Sequence, residues 1–176
     1  NIVTRDFMAK DLSKVTTDTI FGKQTESVTI AYKFLGDKDL DESIKLDLLA
    51  EILSNEKAGL FDLNISLKQK VLDASVDIVG RRDYTTLILT GIPKENQTLE
   101  EVKDILLMEV ENLKTANFSD ELVESIKNNI KLDKELDKEN NSYLAERLIG
   151  LFYNNGSLDD IIKSEIEFTK LTKNDI

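Results

Sequence analysis

VLDASVDIVGRRDYTTLILTGIP, residues 71–93, is the stretch that decides the fold, because it predicts a β-hairpin. Ala74, Val76 and Ile78 alternate with other residues, which is the period of a strand with one buried face. Gly80 and the two arginines after it predict a tight turn. The run that follows is rich in β-branched and aromatic residues and predicts the second strand. Pro93 marks the end of the predicted hairpin.

The elements predicted before the hairpin are a strand, a helix and a shorter helical segment. Apolar residues three and four positions apart predict the helix, over about residues 39–54. The strand ends at Gly36 and is predicted by alternating apolar residues, namely Val28, Ile30, Tyr32 and Phe34. The shorter helical segment follows a break near Gly59 and is predicted to carry Leu60, Leu63 and Leu67.

Four helices are predicted after the hairpin. Thr98 with Glu101 forms the capping box that opens the first of them, and Ser119 and Ser157 cap later ones. Beyond Leu132 the chain becomes almost wholly charged, so the helix there is expected to leave the core or to fray. The third helix is predicted to carry Leu144, Leu148, Leu151 and Phe152, and the fourth to turn inward Ile161, Ile162 and Ile166.

The order of these elements indicates an α+β fold, with a mostly antiparallel β-sheet and helices packed on one face. Residues 1–26 are interpreted as a linker and an edge strand, and residues 27–176 as a single α+β domain. The chain begins with Asn1, and Thr172 with Asp175 forms another capping box at its end. Both features predict a fragment of a longer multidomain chain.

The composition opposes several classes of function. The chain has 34 acidic and 23 basic residues, and its net charge of -11 opposes binding to nucleic acid or to an anionic membrane. No apolar run approaches the roughly 18 residues of a membrane span. The absence of cysteine and histidine excludes thiolate metal sites, most zinc sites and proton transfer by histidine.

An acidic stretch resembles the start of a calcium loop but is better explained as a helix start. Asp37, Asp39 and Asp41 alternate as calcium ligands would, yet the sixth position is Glu42 and the twelfth is Leu48. Acidic residues are favoured at the positive end of a helix, and a helix is predicted from this point. We therefore interpret these residues as helix-capping acids.

Two basic or charged stretches are candidates for ligand or partner contacts. Arg81 and Arg82 at the hairpin tip could grip a phosphate or carboxylate, although exposed arginines on an acidic protein are usually only solvated. The charged run 131–139 is a candidate partner surface, in which Lys131 and Glu135 have the spacing of a helical ion pair. An exposed helix face is the favoured interpretation of that run.

Tyr143, Arg147 and Tyr153 lie near an apolar stripe and are candidates for contacts with a ligand, although Arg147 is interpreted as a surface residue with a buried stem. The chain lacks paired carboxylates, a Gly-rich phosphate loop and a Gly-x-Ser-x-Gly elbow. We therefore assign no catalytic, cofactor-binding or metal-binding residue, and the chain alone is not predicted to be an enzyme.

Three stretches together resemble a known family. They are LDLLAEILSNEKAGLFDLNISLKQKVLDASV, TLILTGIPKENQTLEEVKDILL and the terminal LTKNDI, in this order. Over about residues 27–176 the chain is similar to the insulinase and pitrilysin family of zinc metallopeptidases, which includes the mitochondrial processing peptidase, and especially to its bacterial members. The resemblance implies two halves, each of two α+β domains, that close around a chamber for an unfolded peptide. Zinc is held in the first domain of such proteins by a His-x-x-Glu-His helix and a later Glu.

The resemblance also implies which domain this is. In the last domain of family members, an Arg and a Tyr seven residues apart help to hold the scissile carbonyl. The matching positions here are Leu67 and Ala74, so both donors are absent and the corner between them is predicted to be packed. The chain thus resembles the noncatalytic second domain of the amino-terminal half.

The expected function is that of a noncatalytic scaffolding and chamber-wall domain of an insulinase-like zinc metallopeptidase. The expected partners are the catalytic domain of the same parent chain, which would hold the zinc, and peptide substrates in the chamber, without nucleic acid or membrane. The expected location is the periplasm or the cytoplasm of a bacterium. The alternative is a stand-alone protein-interaction domain of the same fold, which would bind a partner through its charged helix.

Overall fold

Three antiparallel strands form a sheet whose central strand comes last in the sequence. The computed structural model describes residues 12–36, 39–153 and 156–176. Strand β1 is Val28–Leu35, β2 is Asp73–Val79 and β3 is Tyr84–Ile92, and they lie in the order β1-β3-β2. The hairpin predicted from residues 71–93 is therefore confirmed as β2 and β3, and the strand predicted from residue 28 is the neighbour of β3 on its other side.

The pairing register places the alternating apolar residues of all three strands on one face. Leu89 of β3 lies opposite Ile30 of β1 and Val76 of β2. These residues and their neighbours two positions away pack against the hydrophobic core. The opposite face, which we call the open sheet face, carries shorter polar and mixed side chains that are half-buried or exposed, including Thr29, Thr90 and Ser75.

Helices cover the core face of the sheet. They are α1 at Leu40–Leu53, a π-helix at Asp62–Ser66, α2 at Leu99–Lys114, α3 at Asp120–Asp137, α4 at Asn141–Tyr153, α5 at Leu158–Lys170 and a terminal 3₁₀ turn at Lys173–Asp175. The predicted α+β fold, with an antiparallel sheet and helices packed on one face, is confirmed.

The core lies between the sheet and helices α1 and α2, where Leu48, Ile52 and Leu106 are fully buried. Gly91 lets α2 approach the central strand closely, because a Cβ at this position would lie 2.6 Å from Cγ1 of Val102. Helices α3 and α5 extend the same core past α1.

Local hydrogen bonds at the helix starts confirm the predicted caps. The Thr98 hydroxyl accepts from the Glu101 N–H, and the Glu101 carboxylate accepts from the Thr98 N–H at 2.8 Å. Asp39 caps α1 by accepting from the Glu42 N–H at 3.1 Å. Ser119 caps α3 in the same way.

The amino-terminal part differs from its prediction. Residues 12–27 form neither helix nor strand and are almost entirely exposed, so the edge strand predicted within residues 1–26 is wrong for residues 12–26. Residues 1–11 of that segment lie outside the described residues. The apolar side chains of this stretch, such as Val15, Ile20 and Phe21, are exposed to solvent and do not pack against the sheet.

The carboxyl-terminal helices form where predicted, but several of their apolar residues do not face the core. Helix α3 continues to Asp137, and Leu132 and Leu136 are exposed in its last part, so the helix leaves the core there. Helix α4 contains no buried residue, and Phe152 is 83% exposed. The inward orientation predicted for Ile162 and Ile166 in α5 is wrong, because α5 buries only Phe168 and turns these two residues outward.

Candidate functional site

The corner between α1 and β2 is built around a single carboxylate. Asp62 accepts hydrogen bonds from the Ser54 hydroxyl at 2.9 Å, from the Asn55 N–H at 2.9 Å and from the Gly59 N–H at 2.8 Å. These bonds tie the end of α1 to the start of the π-helix. The sharp turn needs a glycine at residue 59, because a Cβ there would lie only 2.6 Å from the backbone of Ser54.

A buried carboxylate joins the same corner to α2. Glu109 is only 2% exposed, and its Oε2 accepts from the side-chain amides of Asn64 at 2.9 Å and Asn112 at 2.8 Å. Sequence reasoning missed this network. The available signal was that Glu109 falls on the apolar stripe of α2 beside Leu106 and Val110, where an unpaired carboxylate would be costly.

The π-helix changes which residues of the corner are buried. Its hydrogen bonds span five residues, as from the Leu67 N–H to the Asp62 carbonyl at 2.8 Å, so the turn is wider than in an α-helix. Phe61 and Ile65 are fully buried, whereas Leu67 is 75% exposed. The prediction of a packed corner is therefore wrong for Leu67 and its neighbour Leu63, which is 40% exposed.

Neither position that replaces the family's Arg and Tyr carries a polar side chain, and they occupy different environments. Leu67 projects into solvent at the end of the π-helix, and Ala74 is half-buried on the core face of β2. Among the described residues, no group of three or more carboxylates is placed to hold a metal ion. The corner can thus offer apolar surface and shape to a neighbour.

The open sheet face is the other broad surface near the corner. It brings together small hydroxyl side chains and a few charges, such as Thr90 opposite Ser75 and Lys33 opposite Thr86. The outer edges of β1 and β2 pair with no further strand among the described residues. A shallow hollow of about 190 Å³ lies where Leu12 approaches this sheet. The Ser75 hydroxyl donates to the Asp77 carboxylate on this face at 3.3 Å. The face can accommodate extended chain.

The other candidates predicted from the sequence have separate structural roles. Asp39 caps α1, and Asp41 forms an ion pair with Lys45 at 2.6 Å within the same helix. Asp37 lies outside the described residues. The capping interpretation is thus supported for Asp39. Arg81 at the hairpin tip is exposed.

Most of the charged run on α3 is an exposed helix face, as interpreted, although Lys134 is half-buried, and Glu135 pairs with a residue other than the predicted Lys131. Glu135 accepts from Lys138 at 2.8 Å, one turn onward. The Lys138 ammonium also lies 3.8 Å from the Glu165 carboxylate, so the charged run contacts α5.

The structure brings Tyr143 and Arg147 together in a cleft between α1, α3, α4 and α5, which we call the helix cleft. The Arg147 guanidinium lies 3.5 Å from a carboxylate oxygen of Glu165, so Arg147 is engaged and only 22% of its side chain is exposed. Tyr153, at the end of α4, is 66% exposed and does not line the helix cleft. The cleft also holds Lys134, which sequence reasoning did not single out.

Lys134 is the unusual group of the helix cleft. Its Nζ lies 4.8 Å from the centre of the Phe168 ring, which is a cation–π distance. Burial lowers the pKa of the Lys134 ammonium, and the nearby Asp47 carboxylate offsets part of that effect. The structure thus keeps a positive charge partly desolvated in the wall of a cavity.

The described helices include none with the length and apolar character of a membrane span. A family model described as Peptidase M16 inactive domain matches residues 7–130 of the chain. No curated protein matches the sequence.

Solved bacterial structures share the fold. A protease from Helicobacter pylori has a TM-score of 0.78 at 21% identity, over 85% of this chain and 36% of that one. The inactive peptidase domain of a Bordetella parapertussis protein described as a zinc protease has a TM-score of 0.70 at 12% identity, over 87% and 84%. The periplasmic protease PqqL from Escherichia coli has a TM-score of 0.60 at 13% identity, over 87% and 18%. The chain therefore spans about a third of the Helicobacter protease.

Proposed function

Because the chain belongs to the Peptidase M16 inactive domain family, the noncatalytic domain family of insulinase-like zinc peptidases, we propose that it buttresses a catalytic domain and forms part of the wall of a peptide chamber. The parent protein would hydrolyse peptides, with zinc held by its catalytic domain. This chain would contribute shape, rigidity and charge. The proposed location is the periplasm or cytoplasm of a bacterium.

The observation that carries the proposal is the corner, which is rigid yet presents apolar side chains to solvent. Asp62 accepts three hydrogen bonds, two of them from the end of α1, and Glu109 of α2 accepts one from Asn64 of the corner. Leu67 nevertheless remains 75% exposed at that fixed position. A surface held this firmly suits permanent contact with another domain better than it suits a mobile loop.

The open sheet face supports the chamber-wall part of the proposal. Helices cover the other face of the sheet, so this face is free to line a cavity formed with neighbouring domains. Its hydroxyl groups can bind the backbone of an extended peptide without selecting a sequence, and so can the outer edges of β1 and β2, which pair with no other strand in the described part of the chain. The net charge of -11 would favour basic peptides over acidic ones.

The chain's own residues do not fit a catalytic zinc site. It contains neither histidine nor cysteine, and its described carboxylates form no suitable group. The proposal therefore requires the zinc ligands to lie in the catalytic domain of the parent chain.

The direct test compares this chain with a longer chain that also contains the proposed catalytic domain. We expect the longer chain to bind one zinc ion and to cleave unstructured peptides, and the 176-residue chain to do neither. Zinc content is measured by atomic emission and cleavage with a fluorogenic peptide. Stoichiometric zinc or peptide cleavage by the 176-residue chain would overturn the proposal.

The wall itself is tested within the longer chain. Ile88→Glu places a charge on the open sheet face, where Ile88 is half-buried opposite Ala31 and Asp77. We expect KM for an acidic peptide to rise several-fold while zinc content is unchanged. Ile162→Glu, on the outward face of α5, is the matched control, and an equal change in KM for both variants would contradict the wall assignment.

A stand-alone protein-interaction domain is the second candidate, and α4 is the observation that favours it. This helix contains no buried residue, and Leu148, Ile149 and Phe152 are all more than half exposed. These side chains form an apolar surface that a protein partner could cover. A gene that encodes no zinc-binding helix upstream of Asn1 would favour this candidate over the first.

A further inference from the structure

Helix α4 presents to solvent an apolar face that the wall function does not use. Its half-buried residues, Tyr143, Arg147 and Leu151, are four positions apart and therefore lie on one side of the helix, where the first two line the helix cleft. All other residues of α4 are exposed. The side turned away from the cleft, which we call the α4 face, consists of Ala145, Leu148, Ile149, Phe152 and Tyr153.

The α4 face and the open sheet face lie on opposite sides of the domain. Helix α1 packs its buried residues into the core beneath the sheet, and the helix cleft lies between α1 and α4. The α4 face points away from that cleft. A neighbouring domain that contacts the open sheet face therefore leaves the α4 face uncovered.

The α4 face has the composition of a buried surface. Ile149 is 67% exposed and Phe152 is 83% exposed. The two charged residues of α4, Glu146 and Arg147, both line the helix cleft, so the α4 face itself carries no charge. A helix that is apolar on its outward side as well is normally covered on that side. On a chain with a net charge of -11, this face is one at which a second copy meets no like charge.

The exposed area matches that of a modest dimer interface. A fully exposed large apolar residue presents about 200 Å², so the exposed fractions on the α4 face correspond to about 600 Å². Two copies that cover this face on each other would bury about 1,200 Å² in total, which is the lower end of the range for specific interfaces. Phe152 and Tyr153 are also of the residue types that are enriched in such interfaces.

The order of small and large residues along α4 makes the face self-complementary. Ala145 and Phe152 are seven positions apart, so they lie two turns apart along the same side of the helix, with Leu148 and Ile149 between them. When a second α4 packs antiparallel about a two-fold axis at the midpoint, the Phe152 ring of each copy lies against the small Ala145 of the other. Both copies then use the same surface, as a two-fold interface requires. This pattern favours a second copy over an unrelated domain.

We propose that the α4 face binds a second copy of this chain, in a two-fold dimer whose two α4 helices pack antiparallel. The inference goes beyond the proposed function and does not depend on it, because the dimer needs neither zinc nor a catalytic domain. Its failure would leave the wall assignment as it stands.

The dimer is tested by sedimentation velocity of the 176-residue chain at about 1 to 200 µM. We expect a monomer–dimer equilibrium with a Kd of about 10 µM, because the interface is small and two copies of net charge -11 repel each other. Salt screens that repulsion, so raising NaCl from about 0.05 M to about 0.5 M should lower the Kd several-fold. A monomer at every concentration, or a dimer that salt weakens, would overturn the proposal.

A substitution on the α4 face tests the location. Ile149→Glu should raise the Kd at least about tenfold, because it places a carboxylate without a partner in the interface. Met108→Glu is the matched control, since Met108 is 57% exposed on α2 and the change adds the same charge. Thermal unfolding checks that both variants fold, and Tyr153→Glu replaces Ile149→Glu if that variant does not. An equal Kd for the α4 variant and the control would contradict the location.

A double substitution tests the antiparallel arrangement. Phe152→Glu should weaken the dimer, and adding Ala145→Lys places the introduced ammonium of each copy opposite the introduced carboxylate of the other. The comparison protein combines Phe152→Glu with Asn128→Lys, which adds the same charge at an exposed position of α3. We expect the protein with Ala145→Lys to have a Kd about threefold lower than the comparison protein, from two exposed ion pairs. Equal Kd values would overturn the antiparallel pairing.

Discussion

Replacing Asp62 tests whether hydrogen bonds hold the corner between α1 and β2. The Asp62 carboxylate accepts from one hydroxyl, that of Ser54, and from two backbone N–H groups, those of Asn55 and Gly59. Asp62→Ala removes all three bonds and leaves the two N–H groups without this acceptor. Asp62→Asn keeps an acceptor oxygen for both N–H groups, and the Ser54 hydroxyl can rotate to accept from the new amide.

The magnitude follows from the number of bonds and from their exposure. A hydrogen bond to a charged acceptor contributes about 1.5–3 kcal/mol to stability. Asp62 is half-buried, so water replaces part of what is lost, and the low end of that range applies to the two backbone bonds. We expect Asp62→Ala to lower the free energy of unfolding by about 3 kcal/mol and Asp62→Asn by about 1 kcal/mol. The larger loss is a substantial part of the roughly 5–15 kcal/mol that stabilises a domain.

Urea unfolding of the three proteins gives the free energies, and amide hydrogen exchange gives the location of the effect. The Asn55 and Gly59 amides should exchange faster in Asp62→Ala than in Asp62→Asn. Asp104→Ala, an exposed change on α2, is the control and should alter stability by less than about 0.5 kcal/mol. Equal losses in Asp62→Ala and Asp62→Asn would show that the hydrogen bonds do not hold the corner.

Four other substitutions have outcomes that follow from the surroundings of single residues. Lys127→Met should lower the free energy of unfolding by about 1–2 kcal/mol in urea titrations, because the ammonium donates to the Leu171 carbonyl at 2.8 Å and closes the end of α5. Gly91→Ala should lower the free energy of unfolding by about 1–3 kcal/mol, because the new Cβ would lie 2.6 Å from a methyl carbon of α2. Gly150→Ala should raise the free energy of unfolding by up to about 1 kcal/mol, because a Cβ at this exposed position of α4 would have nothing within 4 Å. Thermal unfolding of that pair shows the opposite signs, and two losses would contradict the packing. Burial, reinforced by neighbouring carboxylates, raises the pKa of Glu51. The folded state therefore binds the Glu51 proton more tightly than the unfolded state does. The protonated side chain contributes stability in acid, and this contribution is lost as the pH rises through the folded pKa. Glu51→Gln should therefore raise the melting temperature at pH about 7 and not below pH about 4, and an equal gain at both values would refute this origin.

The parts of the fold that sequence could predict depend on neighbours in the chain. The hairpin of β2 and β3 follows from alternation around Gly80, and the cap of α2 follows from Thr98 and Glu101, three residues apart. In each case, the interacting groups lie within a few residues of one another, so spacing carries the information.

The parts that sequence did not reveal depend on contacts across the chain or on a change of helical period. Glu109 is buried because Asn64, 45 residues away, donates to it, and only the apolar stripe around it gave a local sign. Leu67 is exposed because the π-helix inserts an extra residue into the turn, which shifts every later position around the axis. The helix cleft combines side chains from four helices, and no spacing along one helix identifies it.

The order of the strands has a consequence for how the protein folds. Central strand β3 pairs first with its neighbour in sequence, since the hairpin closes over only a short turn. Its other partner lies far upstream, as Ile30 against Leu89 illustrates, and joining it requires the ends of a long loop to meet. During synthesis β1 therefore leaves the ribosome early and waits unpaired until β3 emerges. The amino-terminal strand is the part of the sheet that is most exposed to wrong pairing before the protein is complete.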